Sequence, residues 1–223
     1  LIEGADHVIS LVGILHEMKG NTFETVQAKG PMLVGKIARE KNVRSLVHVS
    51  AIGADVNSKS LYASSKGLGE AYIRDEFEKA VILRPSIIFG PDDNFFNRFA
   101  NLAAFAPFLP LIGGGTTKFQ PVYVQDVASA ILVALEDSAK VGNDYELGGP
   151  SIYSFRELLE LLEKHTLRKR ALVNIPFFIA SLQAKFLELL PNPPLTRDQV
   201  QLLKTDNIVS VSYTHLTLPT RRG

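Results

Sequence analysis

Three short apolar runs, separated by helical stretches of ten residues or more, limit what this chain can fold into. The first is HVISLVG (His7–Gly13) and the second SLVHVSAIG (Ser45–Gly53). The third lies in AVILRPSIIFG (Ala80–Gly90), closed by Pro85 and followed by Pro91. Between the first two, Val26, Met32, Leu33, Ile37 and Ala38 carry a helical pattern from about Thr25 to Lys41. A second helix is predicted from Leu61 to about Phe77. Apolar runs without polar alternation suit strands buried on both faces, as in a parallel sheet. Strands alternating with helices predict βαβ units. Their right-handed crossovers give an α/β, doubly wound parallel sheet.

Beyond Gly90 the texture changes. NFFNRFANLAAFAPFLPLI is aromatic and broken by prolines, and PVYVQDVASAILVALED returns to a strand and a helix with Asp126 in the N-cap place. Ser154 and Glu157 form a capping-box pattern at the next helix, and Thr196 and Gln199 stand in the same relation later. Phe178, Leu182, Phe186, Leu189 and Leu190 mark an amphipathic helix, whose Phe177–Leu190 stripe is expected in the core, with a hydrophobic quinone or membrane-surface contact as the alternative. The RKR run at 168–170 reads as a solvated turn. The predicted organisation is a first domain over 1–148, with 91–118 inserted toward the substrate side, and a smaller helical domain over 149–210. The segment VSYTHLTLPTRRG (211–223) resembles translated sequencing adapter and is expected to be a non-native tail. Because Leu1 opens in the middle of a domain, the N-terminal part is expected to be missing.

Several classes are excluded. The chain has no cysteine, so thiolate chemistry and disulfides are out. Its five histidines (His7, His16, His48, His165 and His215) show no metal-ligand spacing, and no metal is expected. A net charge of +1 gives no general drive toward nucleic acid, and none is expected as a partner. No apolar run reaches the length of a membrane span.

The strongest candidate site is SLYASSKGLGEAYIRD (Ser60–Asp75). Tyr62 and Lys66 are four apart, so on a helix they share a face. A phenol titrates near 10, too high for easy proton exchange at neutral pH. A nearby ammonium and a helix N-terminus would both lower that value, making the phenol a general acid/base. The same ammonium could instead donate hydrogen bonds to a nucleotide's sugar hydroxyls.

The pair opens a helix soon after a buried strand, inside a βαβ chain, and in that context YASSK matches the Tyr-x-x-x-Lys of the short-chain dehydrogenase/reductase superfamily, in its extended and atypical, NAD-dependent epimerase/dehydratase-like branches. RPSIIFGP resembles that superfamily's Arg-Pro-x-x-x-x-Gly-Pro, and PVYVQDVASAI its Val-x-Asp-Val-Ala helix entry. The likeness covers about Leu1 to Ser210. YELGGPSIYSFRELLELL and LQAKFLELLPNPPLTRDQVQLLKTDN are similar to the dehydrogenase-like accessory subunits of respiratory complex I and their bacterial relatives.

The resemblance implies a Rossmann-type domain holding NAD or NADP, with the helical domain over the nicotinamide end. It implies cofactor contacts at Val12, Gly13, Ser50, Tyr62, Lys66, Pro85 and Ile88, and catalytic roles for Tyr62, Lys66 and Ser50. The superfamily's glycine-rich phosphate loop is absent from these residues and would lie upstream of Leu1. The carbonyl-polarising hydroxyl usual one or two residues beyond Ser50 is replaced by Ala51 and Ile52, and Gln27 stands roughly where a helix asparagine is common. Two functions follow. One is a nucleotide-binding accessory or assembly subunit of a respiratory or quinone-linked system, with respiratory-complex subunits or a quinone as partners. The other is an active oxidoreductase, epimerase or dehydratase. Localisation is expected to be cytoplasmic, with peripheral contact at the inner membrane as the variant. Arg84 stays open between a structural ion pair and a substrate contact.

Overall fold

A computed structural model describes residues 2–137 and 140–210. The expectation for residues 211–223 lies outside the described residues. Along the chain run β1 (His7–Ser10), α1 (Gly30–Glu40), β2 (Ser45–Val49), α2 (Leu61–Glu76), β3 (Val81–Pro85), β4 (Ile88–Phe89) and α3 (Phe96–Phe105). Then come β5 (Phe108–Ile112), β6 (Lys118–Phe119), β7 (Val122–Tyr123), α4 (Val124–Glu136) and β8 (Asp144–Leu147). The last are β9 (Tyr153–Ser154), α5 (Phe155–Thr166), β10 (Ala171–Ile175), α6 (Phe177–Leu187) and α7 (Arg197–Leu202). These elements form two compact units, one from residues 2–85, 124–147 and 209–210, the other from 86–123 and 148–208. Segment 91–118 thus groups with the C-terminal residues.

The first unit is the α/β layer that the alternating runs predicted. Its four-stranded sheet has the order β1-β2-β3-β8, and every pairing is parallel. Alternation along β2 decides what each face meets. Leu46 joins Ala38 of α1, Ile73 of α2 and Ile82 of β3 in a buried cluster. Ser45 points the other way and donates to the carbonyl of Leu135 in α4 at 3.3 Å. Helices therefore cover both faces, which is why β2 reads as continuously apolar. Asp126 lies inside the first turn of α4 and is not its N-cap, because the helix already begins at Val124. There its carboxylate complements the helix dipole.

The second unit is built around aromatic side chains. Leu109 and Leu111 of β5 pack with Phe119, Phe155, Leu158, Leu159 and Leu162, and Phe95 and Phe99 lie against this core. β5 pairs in parallel with β10. Both predicted capping boxes are present, at Ser154/Glu157 and Thr196/Gln199. The expected core stripe on α6 is corrected. The residues that α6 buries are Ala180 and Ala184, beside Ile112 and Val200, while Phe178, Leu182, Phe186, Leu189 and Leu190 are exposed. The small side chains let α6 approach closely, so the large ones are left facing outward.

Candidate functional site

The site is built where α2 begins. Ser60 caps the helix, its hydroxyl accepting from the Ala63 N–H at 3.2 Å. Tyr62 and Lys66 follow in the first two turns, on one face as their spacing requires. Lys66 is buried and runs inward to the ends of two strands. Its Nζ donates to the carbonyl oxygens of Val12 and Val49, both at 3.3 Å. Gly13 makes this path open, since a Cβ there would stand 3.1 Å from that Nζ. A glycine is what allows backbone and ammonium to approach this closely. Val12, Gly13 and Lys66 are thus brought together.

Gln27 fixes the neighbouring loop. It lies in a π-helical turn, Glu24–Lys29, ahead of α1. Its Oε1 accepts from the Ile14 N–H at 3.0 Å, and its Nε2 donates to Ser65 Oγ at 2.9 Å in the interior. Ser65 Oγ in turn donates to the Tyr62 carbonyl at 2.9 Å. The loop after β1 and the first turns of α2 are therefore one hydrogen-bonded assembly. Gly69 permits it, because a Cβ there would lie 2.1 Å from the Gln27 carbonyl oxygen.

Burial, and not mutual attraction, sets the electrostatics. Desolvation pushes the Tyr62 phenol up to about 12, opposite to the lowering expected from its spacing to Lys66. The Tyr62 ring is packed edge-on against Phe23, with centroids 6.2 Å apart. Desolvation also draws Lys66 down to about 8, against the raising effect of Glu70. His48, at 0% exposure, is lowered to about 3 by burial first and by the Lys66 charge second, while its bond to Ser10 opposes both. Its Nδ1 lies 3.1 Å from Ser10 Oγ.

Ser50 continues the alternation of β2, since its N–H still donates to the Leu83 carbonyl at 2.7 Å. It therefore shares the face of Leu46 and His48, toward α2. Its hydroxyl is buried and has no hydrogen-bond partner among the described residues. Pro85 ends β3, and its carbonyl accepts from the Ile52 N–H at 3.0 Å. Ile88 belongs to the second unit, where β4 pairs with Val122 of β7. Arg84 resolves as an ion pair. It meets Glu70 Oε2 at 2.5 Å and Asp144 Oδ2 at 3.0 Å, and Arg74 also reaches Asp144.

Gly13, Ser50, Tyr62 and Lys66 thus offer a close-approach backbone, a free buried hydroxyl, a phenol and an ammonium within one unit. Such a set can donate hydrogen bonds to the oxygens of a polyhydroxylated ligand. Sequence reading missed His48, Glu70 and Ser65. Glu70 had a signal, at i+4 from Lys66, whereas the His48–Ser10 contact joins two strands and had none.

A family model described as the NAD dependent epimerase/dehydratase family matches residues 3–148. Among curated proteins, the chain is 36% identical over 217 residues to NADH dehydrogenase (ubiquinone) 1 alpha subcomplex subunit 9, mitochondrial, of Arabidopsis thaliana, covering 92% of this chain and 54% of that protein. It is 33% identical to the Mus musculus protein of the same name, covering 93% of this chain and 55% of that one. The chain thus spans about half the length of the curated relatives it matches. A UDP-glucuronic acid 4-epimerase from Bacillus cereus, solved with NAD, superposes with a TM-score of 0.67 at 19% identity, covering 91% of this chain and 76% of that one. That likeness shows the fold.

Proposed function

The chain belongs to the NAD dependent epimerase/dehydratase family, and from that premise we propose that it is a nucleotide-binding accessory subunit of a respiratory, complex I-type assembly. Nicotinamide dinucleotide is the cofactor of the family. The observation that carries the reading is the extent of the likeness to the subunit 9 proteins. It runs through 92% of this chain, well beyond the family-matched residues 3–148.

The site's chemistry supports holding a nucleotide over turning one over. The residues fit the group: Gly13 leaves backbone open beside Lys66, and Ser50 presents a buried hydroxyl without a partner among the described residues. Val12 and Gly13 would pass along the dinucleotide, Lys66 and Tyr62 would meet its ribose, and Pro85 would lie toward its nicotinamide. No Gly-x-x-Gly-x-x-Gly run occurs in the 223 residues, so these contacts are the ones this sequence itself can supply. A phenol pushed up to about 12 keeps its proton, and Ala51 and Ile52 offer no second hydroxyl. Among the described residues no helix is long and apolar enough to cross a membrane, so association with a membrane assembly would be peripheral.

One observation favours a second reading, that of an active oxidoreductase or epimerase. The Ser50 hydroxyl, buried and without a hydrogen-bond partner among the described residues, could polarise a substrate carbonyl while Tyr62 gives or takes the proton on its oxygen. The bound cofactor would supply the hydride.

The test is to separate solubilised membranes of the source cell on a native gel and to extract the nucleotide from the purified protein. Co-migration with the NADH-oxidising complex, with dinucleotide retained, is the expected result. A free protein that turns over sugars, ketones or quinones would overturn it.

A further inference from the structure

Lys66 and Glu70 stand four apart on α2 and share a face, and both are buried, at 5% and 7% exposure. Opposite charges at this spacing can close on one another. Instead, Lys66 turns its Nζ to the Val12 and Val49 carbonyls, each at 3.3 Å. Glu70 turns to Arg84 of β3. Arg84 Nε donates to Glu70 Oε1 at 2.9 Å and to Oε2 at 3.1 Å, and a terminal guanidinium nitrogen donates to Oε2 at 2.5 Å. Both carboxylate oxygens are engaged by one planar cation, the strong form of such a pair. Arg84 is itself anchored, since the same nitrogen meets Asp144 of β8 at 3.0 Å and Arg74 also reaches Asp144.

Among the described residues, the charge that acts on Lys66 is that of Glu70. Gln27, from the π-helical turn, and Ser50, just past β2, are neutral. His48 on β2, lowered to about 3, and Tyr62 on α2, pushed up to about 12, are both uncharged near pH 7. Two demands on Lys66 therefore conflict. A buried ammonium needs a counter-charge to keep its proton. An ammonium that closed on that counter-charge would leave the strand ends. A carboxylate already held at both oxygens meets both demands, because it supplies the field without drawing the Nζ onto itself. An ammonium has three N–H donors, and the two carbonyls take two of them.

We propose that Arg84 is a positioning residue for the site lysine: by engaging both oxygens of Glu70 it keeps that carboxylate from capturing the Lys66 ammonium, which stays at the strand ends with one N–H left for a ligand oxygen. This deepens the nucleotide reading and rests on it only for the identity of the ligand.

The test is an NMR titration of the full chain carrying lysine labelled with carbon-13 at Cε, without nucleotide. Loss of its signal in Lys66→Met assigns Lys66. Arg84→Met releases Glu70, and Lys66 should close on it. The Lys66 midpoint, about 8 in the wild-type chain, should then rise by about one unit or more, since a neighbouring opposite charge moves a pKa by about 1–3 units. NADH affinity at pH 7 should fall about tenfold or more, the loss of one charged hydrogen bond. Glu70→Gln should move the midpoint the other way, below about 8. Arg84→Met with Glu70→Gln leaves no carboxylate to capture Lys66. Its midpoint should fall back below that of Arg84→Met, and its NADH affinity should return to within a few-fold of wild type. A general loosening of the fold would instead raise the midpoint in every variant, as Lys66 meets water, and a second substitution would not rescue it. That pattern would overturn the proposal, as would an unchanged midpoint in Arg84→Met. If Arg84→Met does not fold, Arg84→Lys keeps the charge and gives up the paired bonds. It should raise the midpoint by less, and no rise there would also overturn the proposal. A wild-type chain that binds no NADH would remove the nucleotide reading, and the titration would still decide this one.

Discussion

Lys66 donates a hydrogen bond to the carbonyl oxygen of Val49, the last residue of β2, at 3.3 Å. A helix side chain is thereby tied to the C-terminal end of an inner strand, at the cost of its own hydration. Lys66 is drawn down to about 8, so the folded state holds this proton less tightly than the unfolded chain does. The unfolded chain binds more protons between about pH 8 and 10.5, and stability rises with pH across that window. Below about pH 8 the penalty is fully present. Lys66→Met should abolish the rise, which is roughly 3 kcal/mol at one pKa unit per 1.36 kcal/mol. Near pH 7 it should change stability by no more than about 1–2 kcal/mol, because relief of desolvation offsets two lost hydrogen bonds. Dinucleotide retention should fall clearly. Denaturant titrations at several pH values and calorimetry on both proteins check this. Retained affinity in the variant would remove Lys66 from the nucleotide site.

Tyr62→Phe separates the two functional readings. The phenol stays protonated at neutral pH, with its titration pushed up to about 12. The variant keeps the edge-on packing with Phe23 and should lose no more than the roughly 0.5–1.5 kcal/mol of one hydrogen bond. Nucleotide affinity should stay within a few-fold. If wild-type protein shows robust turnover and the variant loses at least the roughly 10²-fold that acid/base catalysis supplies, the accessory-subunit reading fails.

His48 predicts acid sensitivity. Its folded value of about 3 lies below the ordinary 6.5, so the unfolded state binds the extra proton between those limits. Stability is complete above about pH 6.5 and falls as pH drops toward 3. From pH 6.5 to 5 the loss should be roughly 1–2 kcal/mol from this residue. His48→Gln should flatten that part of the curve, whatever it does to stability at pH 7. Melting temperatures in matched buffers read it out, and an equally steep variant would assign the acid effect elsewhere.

Gly69→Ala should be costly although alanine is the better helix former. The new Cβ would fall 2.1 Å from the Gln27 carbonyl oxygen. The π-helical turn and α2 must move apart, at about 1–3 kcal/mol or more. The Gln27–Ser65 bond should weaken with it, so nucleotide retention and melting temperature are expected to fall together. A stabilised variant would show that this crossing is looser than its geometry.

Arg84→Met should leave Glu70 facing Asp144 without the guanidinium that bridges them at 2.5 and 3.0 Å. Removing one partner of a largely buried network costs about 3–5 kcal/mol. The expected loss lies toward the low end, because Arg74 still pairs with Asp144. Urea titration measures it, and a change below about 1 kcal/mol would mean the network contributes little.

The sequence by itself determined the parallel sheet, its covering helices and the two capping boxes. Each is local: a run of β-branched residues, a 3.6-residue period, or a hydroxyl three residues from a carboxylate or amide. It also determined that Tyr62 and Lys66 share a face, since helix geometry alone dictates that. Only the tertiary structure decided how the pair titrates. Spacing suggested that the ammonium would lower the phenol, but burial, with Phe23 packed edge-on against its ring, raises it, and desolvation depends on atoms distant in the chain. The side on which Ser50 lies followed from its backbone bond to Leu83, a strand away. The same holds for α6. Its apolar stripe was legible, but whether a stripe is buried or exposed depends on what packs against it, and there two alanines, not the aromatics, made the contact.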